Sequence, residues 1–410
     1  MSARVRSLLR AATFRVRPRR ALIRVGLLAS FLAVLVLVVV ASGIVPVKAS
    51  SGHWKVTDLF LHFAMQRSVA THSLAVAEPP RLDDPALIML GASHYELGCR
   101  PCHGLPETEM PRIPQRMTPA PPLLPPTLSH WKPRELFYIV MHGVKFTGMP
   151  AWPAPERDDE VWAVVSFLLA FPGMSMDEYR RLALAEREEG SLVQNAASAA
   201  GVTAQADATV PLDDAAAGVQ PPAVREVQAI VASCAHCHGD DGAGRSNLVP
   251  SIAAQRERYL RNALVAYARN ERSSGIMEPV AAALNAAQIE QLARHYASLP
   301  ARPGAGSGRD VRSRFRRSIE RGRRIAEQGI ARERVPACSE CHEPQGRRSN
   351  PAYPRLAGQH ARYLVAQLEL LQSDRRGGSR FVRLMRPVAS RLTIRQARDV
   401  ARYYESIETH

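Results

Sequence analysis

The spacing of apolar positions predicts a largely helical chain. Its longest uncharged stretch, VGLLASFLAVLVLVVVASGIVPV (25–47), runs 23 residues. As a helix rising about 1.5 Å per residue, that is enough to cross a bilayer core of about 30 Å. Next comes HWKVTDLFLHFAMQRSV (53–69), where Trp54, Leu59, Phe60 and Phe63 suit a helix lying at a membrane surface. DDEVWAVVSFLLAF (158–171) predicts a buried helix whose acidic start complements the helix dipole. NAAQIEQLARHYASL (285–299) and TIRQARDVARYYESI (393–407) place Ile289, Leu292 and Tyr296, and Ala397, Val400 and Tyr404, at helical spacing. Residues 190–222 and 300–308 are rich in Ala, Gly and Pro with few bulky apolar side chains, and read as flexible tethers.

The cysteines decide the chemistry. All six fall in three copies of one pattern, CRPCH (99–103), CAHCH (234–238) and CSECH (338–342). A structural zinc site needs four N or S ligands, and each cluster offers two thiols and one histidine. A redox dithiol has no use for the histidine. Covalent haem c attachment uses all three residues, two thiols to bond the porphyrin and the adjacent imidazole as proximal iron ligand. The chain is therefore expected to carry three covalently bound haems c on Cys99, Cys102 and His103, on Cys234, Cys237 and His238, and on Cys338, Cys341 and His342.

Each motif needs a ligand opposite its histidine. Met277 is the only methionine between His238 and the next motif, and Met385 is the only one after His342. The first segment offers Met110, Met117, Met141, Met149, Met174 and Met176, with His142 as a rival. Met149 stands in Gly-Met-Pro before a helical segment and lies 46 residues after His103, close to the 39 and 43 residues that separate Met277 and Met385 from their histidines. The expected iron ligands are His103/Met149, His238/Met277 and His342/Met385. Each set is ordered alike: an apolar helix, the motif, a loop, a methionine and a closing helix. His53, His62 and His72 are read as surface residues.

Charge adds direction. The formal net charge is +16, and residues 1–24 hold eight arginines and no acid. An arginine-rich start before an apolar span stays cytoplasmic, so everything after residue 48 is expected on the exported side. Val47-Lys48-Ala49 is a passable cleavage site, but the apolar run exceeds the usual signal core of roughly 7–15 residues and favours an uncleaved anchor. Residues 309–410 hold 23 arginines against 11 acids. That surface would steer an acidic redox partner, anionic lipid is another candidate, and export argues against nucleic acid. No phosphate-binding Gly loop, G-x-S-x-G or paired-carboxylate signature is present, so no catalytic residue is expected.

Domains two and three match each other: Gln255 with Gln359, Tyr259-Leu260 with Tyr363-Leu364, Met277-x-Pro-Val-Ala with Met385-x-Pro-Val-Ala, Leu284 with Leu392, and Tyr296 with Tyr404. Such density indicates an internal duplication. On these residues, 223–410 resembles the tandem dihaem cytochromes of the c4 type. HGVKFTGMPAW (142–152) is similar to the methionine loop of haem subunits in membrane-bound dehydrogenases, and the whole resembles membrane-anchored trihaem class I cytochromes c of bacterial respiratory chains. Glu343, where the family usually has Gly, is a departure. The resemblance implies an all-α fold, an N-terminal transmembrane helix followed by three class I cytochrome c-like haem domains. The expected organisation is 1–24 cytoplasmic, 25–47 anchor, 48–84 juxtamembrane, 85–189 domain one, 190–222 linker, 223–299 domain two, 300–308 linker and 309–410 domain three. It also implies an electron carrier of the bacterial inner membrane with periplasmic haem domains, working toward a terminal oxidase. The alternatives are the haem subunit of a membrane-bound dehydrogenase and, from another class, a haem enzyme or gas sensor.

Overall fold

The computed structural model describes residues 18–45, 47–185, 222–301, 309–343, 346, 348–378 and 380–407. Most of the arginine-rich start and nearly all of both tethers lie outside these residues. The described residues are helical and contain no strand beyond one isolated bridge, Ile330 to Val335. The chain divides into two compact units, residues 1–53 and 54–410.

In the first unit α1 spans Pro18–Ala41. Its apolar part, Ala21–Ala41, is 21 residues long with none of its surface buried, or about 31 Å of helix. The expected span of 25–47 is displaced toward the N-terminus. The helix stops because Ser42 Oγ donates to Val39 O at 2.7 Å and Gly43 takes φ +68°, a left-handed geometry that glycine adopts without strain.

The second unit contains three sets of helices, each carrying one motif. After α2 (Lys55–His72), the first set comprises α3 (Pro85–His94), a π-turn (Tyr95–Cys99), α4 (Arg100–His103), α5 (Pro133–His142), α6 (Asp158–Ala170) and α7 (Met176–Ala183). Helices α3 and α6 cross closely at Gly91, where a Cβ would lie 2.0 Å from Ala163 O. Tyr95, Phe167, Phe171 and Tyr179 fill the core beside this crossing. Trp54, Leu59, Phe60 and Phe63 are all exposed on or beside α2.

The second set is α8 (Pro222–His238), α9 (Glu257–Ala268), α10 (Met277–Ala282) and α11 (Ala286–Ser298). The third is α12 (Arg309–Gln328), α13 (Ser339–His342), α14 (Ala361–Gln372), α15 (Val382–Ala389) and α16 (Ile394–Ser406). The closing helices start where expected, with Asn285 and Thr393 accepting from Gln288 N and Gln396 N in reciprocal capping boxes.

Two expectations need correction. Met277 opens a helix and Met385 lies inside one; neither stands in a loop. Proline is tolerated at Pro279, where an early helical position has no intrahelical acceptor to lose. The helix before the third motif is not apolar: α12 is arginine-rich and amphipathic. It is held on α16 by Asp399, which is 3% exposed, accepts from Arg321 at 2.7 and 2.8 Å and also accepts from Ser318. Gly322 permits the approach, since a Cβ there would lie 2.0 Å from Asp399 O.

Candidate functional site

The three motif histidines share one geometry. His103 Nδ1 donates to Pro122 O at 3.0 Å, His238 Nδ1 to Pro250 O at 3.0 Å and His342 Nδ1 to Pro354 O at 2.9 Å. A neutral imidazole that donates through Nδ1 keeps Nε2 as its lone-pair acceptor, the form a metal ligand requires. Burial holds all three imidazoles below the usual histidine value, offset only in part by the proline carbonyl.

Cys102, Cys237 and Cys341 lie in the helical turn that ends at each histidine, Cys99 and Cys338 stand at the start of theirs, Cys234 lies one turn earlier in α8, and none is in a disulfide. Burial pushes Cys99 and Cys338 up to about 12 and also raises Cys234, Cys237 and Cys341. Gly104 and Gly239 follow their histidines at φ +77° and +76°. Glu343 replaces glycine in the third copy because the backbone there turns differently, at φ −82° and ψ 150°. That extended conformation carries no penalty for a side chain.

The duplication is built into the packing. Gln255 Oε1 accepts from Arg355 N at 2.7 Å and its Nε2 donates to Arg355 O at 3.0 Å. Gln359 makes the same pair of bonds with Ser251, at 2.9 and 2.8 Å. Each glutamine is buried and reads the other set's backbone four residues before its partner glutamine, an arrangement related by a local two-fold. The next residues also cross: Arg256 donates to Asn350 O and His342 O, and His360 Nε2 donates to Ala243 O at 2.8 Å.

Three observations test whether these residues fit haem. The hydroxyls of Tyr296 and Tyr404 are buried without a conventional partner, each beside the first thiol of its motif. In the third set the apolar side chains fall in two separate clusters. One includes Cys338 with Leu364, Val400 and Tyr404; the other includes Met385 with Leu371, Val382 and Ala389. A flat apolar body suits the space between such clusters. Finally, Arg272 and Arg376 are related by the same register as the glutamines, and no described carboxylate pairs with either. Arg272 is 6% exposed and donates to Tyr363 Oη and Gln367 Oε1; Arg376 shares Gln367 at 2.8 Å. Burial alone would raise the Tyr259 hydroxyl, but the two guanidiniums hold it below the usual tyrosine value. Buried cations without anions suit the carboxylates of haem propionates. The residues fit the group.

Met149, Met277 and Met385 are partly buried. Met141 and Met174 are consumed by the first set's core, and Met117 places its Cε where a Cβ on Gly148 would lie only 1.9 Å away. His142 is exposed against Tyr138, and His53, His62 and His72 are exposed as well. The proline carbonyls, the buried arginines and the bridging role of the glutamines escaped the sequence reading. The equal offset of 12 residues from His238 to Pro250 and from His342 to Pro354 was the available signal.

A family model described as cytochrome C oxidase, cbb3-type, subunit III matches residues 86–168 and 222–295. Cytochrome c-552 of Acidithiobacillus ferridurans is 34% identical over 186 residues, covering 43% of this chain and 75% of that protein. A thiosulfate dehydrogenase electron acceptor of Thiomonas intermedia is 34% identical over 173 residues, 42% of this chain and 77% of its own length. Cytochrome c4 of Azotobacter vinelandii is 29% identical over 217 residues, 50% of this chain and 94% of its own.

Proposed function

Since the chain belongs to the cytochrome c4-like c-type cytochromes, we propose that it is a membrane-anchored carrier that passes electrons through three covalently bound haems c. The observation that carries this reading is the threefold repeat of a motif histidine locked through Nδ1 onto a proline carbonyl. Bound haem supplies one-electron chemistry by cycling its iron between ferric and ferrous states.

The chain's own residues do the rest. Cys99/Cys102, Cys234/Cys237 and Cys338/Cys341 would tether the three groups, and His103, His238 and His342 would present Nε2 to the irons. Met149, Met277 and Met385 would supply soft thioether ligands, which favour ferrous iron and raise the potential. Arg272 and Arg376 would balance propionate charge, and the surrounding apolar clusters would exclude water. With a histidine and a methionine both bound, the irons would have no free position for a substrate, which supports transfer over catalysis. The haem-bearing domains are 85–189, 223–299 and 309–410.

The arginine-rich start and α1 support an inner-membrane anchor with the haem domains in the periplasm. The exposed Trp54, Leu59, Phe60 and Phe63 support contact with the lipid surface. The family model named for an oxidase subunit supports delivery toward a terminal oxidase. Relatives named as thiosulfate dehydrogenase electron acceptors support a second reading, in which a dehydrogenase is the donor, and the basic third domain suits an acidic partner in either.

The ferrous protein should bind carbon monoxide poorly, as read by the Soret difference spectrum. Rapid, stoichiometric binding at one haem would replace the carrier with a haem enzyme or gas sensor.

A further inference from the structure

The first set of helices reaches into the second at one buried point. Glu160, at the start of α6, is 3% exposed. Its Oε1 accepts from Ser274 Oγ at 2.6 Å and its Oε2 from Gly275 N at 2.7 Å. Arg157 pairs with the same carboxylate at 2.9 Å and donates to Ser273 O at 2.8 Å. Burial pushes the Glu160 carboxyl up to about 7, with Arg157 pulling the other way. The Trp152 indole closes over the contact: a Cβ on Gly275 would lie 2.2 Å from Trp152 Nε1, so only glycine admits the ring.

The consequence falls on Met277. A hydroxyl has one proton and two lone pairs. Because Ser274 gives its proton to Glu160, its lone pairs face inward, accepting from Ile276 N at 3.3 Å and Met277 N at 3.0 Å. A carboxylate of the first domain therefore sets the orientation of the hydroxyl that fixes the Met277 backbone. The duplicated third domain lacks this device. The residue three before Met385 is Val382, which has no hydroxyl, and α15 already begins there.

We propose that Glu160, with Arg157 and Trp152, is a positioning group for the second redox centre, so that docking of the first domain tunes the Met277 iron ligand while leaving Met385 alone. This rests on Met277 being a ligand. The first domain is then a fixed part of the second centre as well as a relay in series with it, and the two duplicated centres differ in potential partly for this reason.

The test uses the full-length holoprotein in detergent and three variants: Glu160→Gln, Ser274→Ala and Met277→Ala. The readouts are the potentials from a spectroelectrochemical titration, the thioether–ferric near-infrared band, and the ring-current-shifted methionine methyl resonances of the reduced protein. Met277→Ala should remove about one third of the band and one methyl resonance. Glu160→Gln and Ser274→Ala should shift that same resonance and one of three potentials, leaving the other two in place. Ser274→Ala removes a single hydroxyl and keeps the test open should Glu160→Gln fold poorly. If Met277→Ala acts as stated while Glu160→Gln and Ser274→Ala leave all potentials and resonances unmoved, the positioning role is wrong and the ligand assignment stands. If Met277→Ala leaves the band whole, the ligand assignment fails and takes the positioning role with it.

Discussion

Replacing Cys237 with alanine should yield a chain that loses or weakly holds one haem while keeping the other two. The effect is large because only Cys234 would remain to hold the second group and no spare thiol could replace Cys237: all six cysteines belong to the three motifs. It is also local. The first core closes around Tyr95 and Phe167, and the third has its own apolar clusters around Cys338 and Met385. Loss of the group would leave Arg272 without the propionate charge it is proposed to meet. Each uncompensated polar group costs about 1–3 kcal/mol, and more when charged. Denaturing electrophoresis with haem staining, together with thermal unfolding, reads both effects: staining should fall by about one third, and the melting temperature should drop.

Much of this was legible in the sequence, for reasons that differ by feature. The motifs were readable because covalent attachment fixes residue type and spacing together. The closing helices were readable because capping boxes and apolar periodicity agree at Asn285 and Thr393. Tertiary roles were not. Glu160 stood in an acidic run suited to a helix dipole, yet Asp159 is exposed while Glu160 turns inward to Ser274 and Gly275 of the second set of helices. Gln255 and Gln359 were recognisable as equivalent residues; that each binds the other's domain follows from the two-fold, which a linear alignment does not contain. The proline partners escaped because the first lies 19 residues from its histidine and the others 12. The loop expected around each methionine was wrong for Met277 and Met385 because a Met-x-Pro segment reads as irregular, whereas Pro279 falls in the first turn of its helix and Pro387 is carried inside one. The apolar helix α1 ended early because backbone geometry at Gly43 stops it within a run that hydropathy alone would extend.

Met149→His, Met277→His and Met385→His should each lower one potential and remove part of the absorbance near ~695 nm that a thioether–ferric bond produces, since exchanging a soft thioether for imidazole favours ferric iron. The three should act independently, because each methionine belongs to a different set of helices. Met117→Leu provides the contrast in the first domain, where Met117 lies beside Gly148 within reach of the same loop. It should leave the band and all potentials unchanged. A Met117 variant that lost the band while Met149→His kept it would exchange the two assignments, and a fully retained band in all three histidine variants would remove methionine ligation from the account.

The most direct measurement is the haem content of the purified full-length protein, by pyridine haemochrome absorbance against chain concentration from amino-acid analysis. Three motifs, each with its histidine turned onto a proline carbonyl, predict about three haems c per chain. A clear value of two or fewer in fully matured protein would contradict the account.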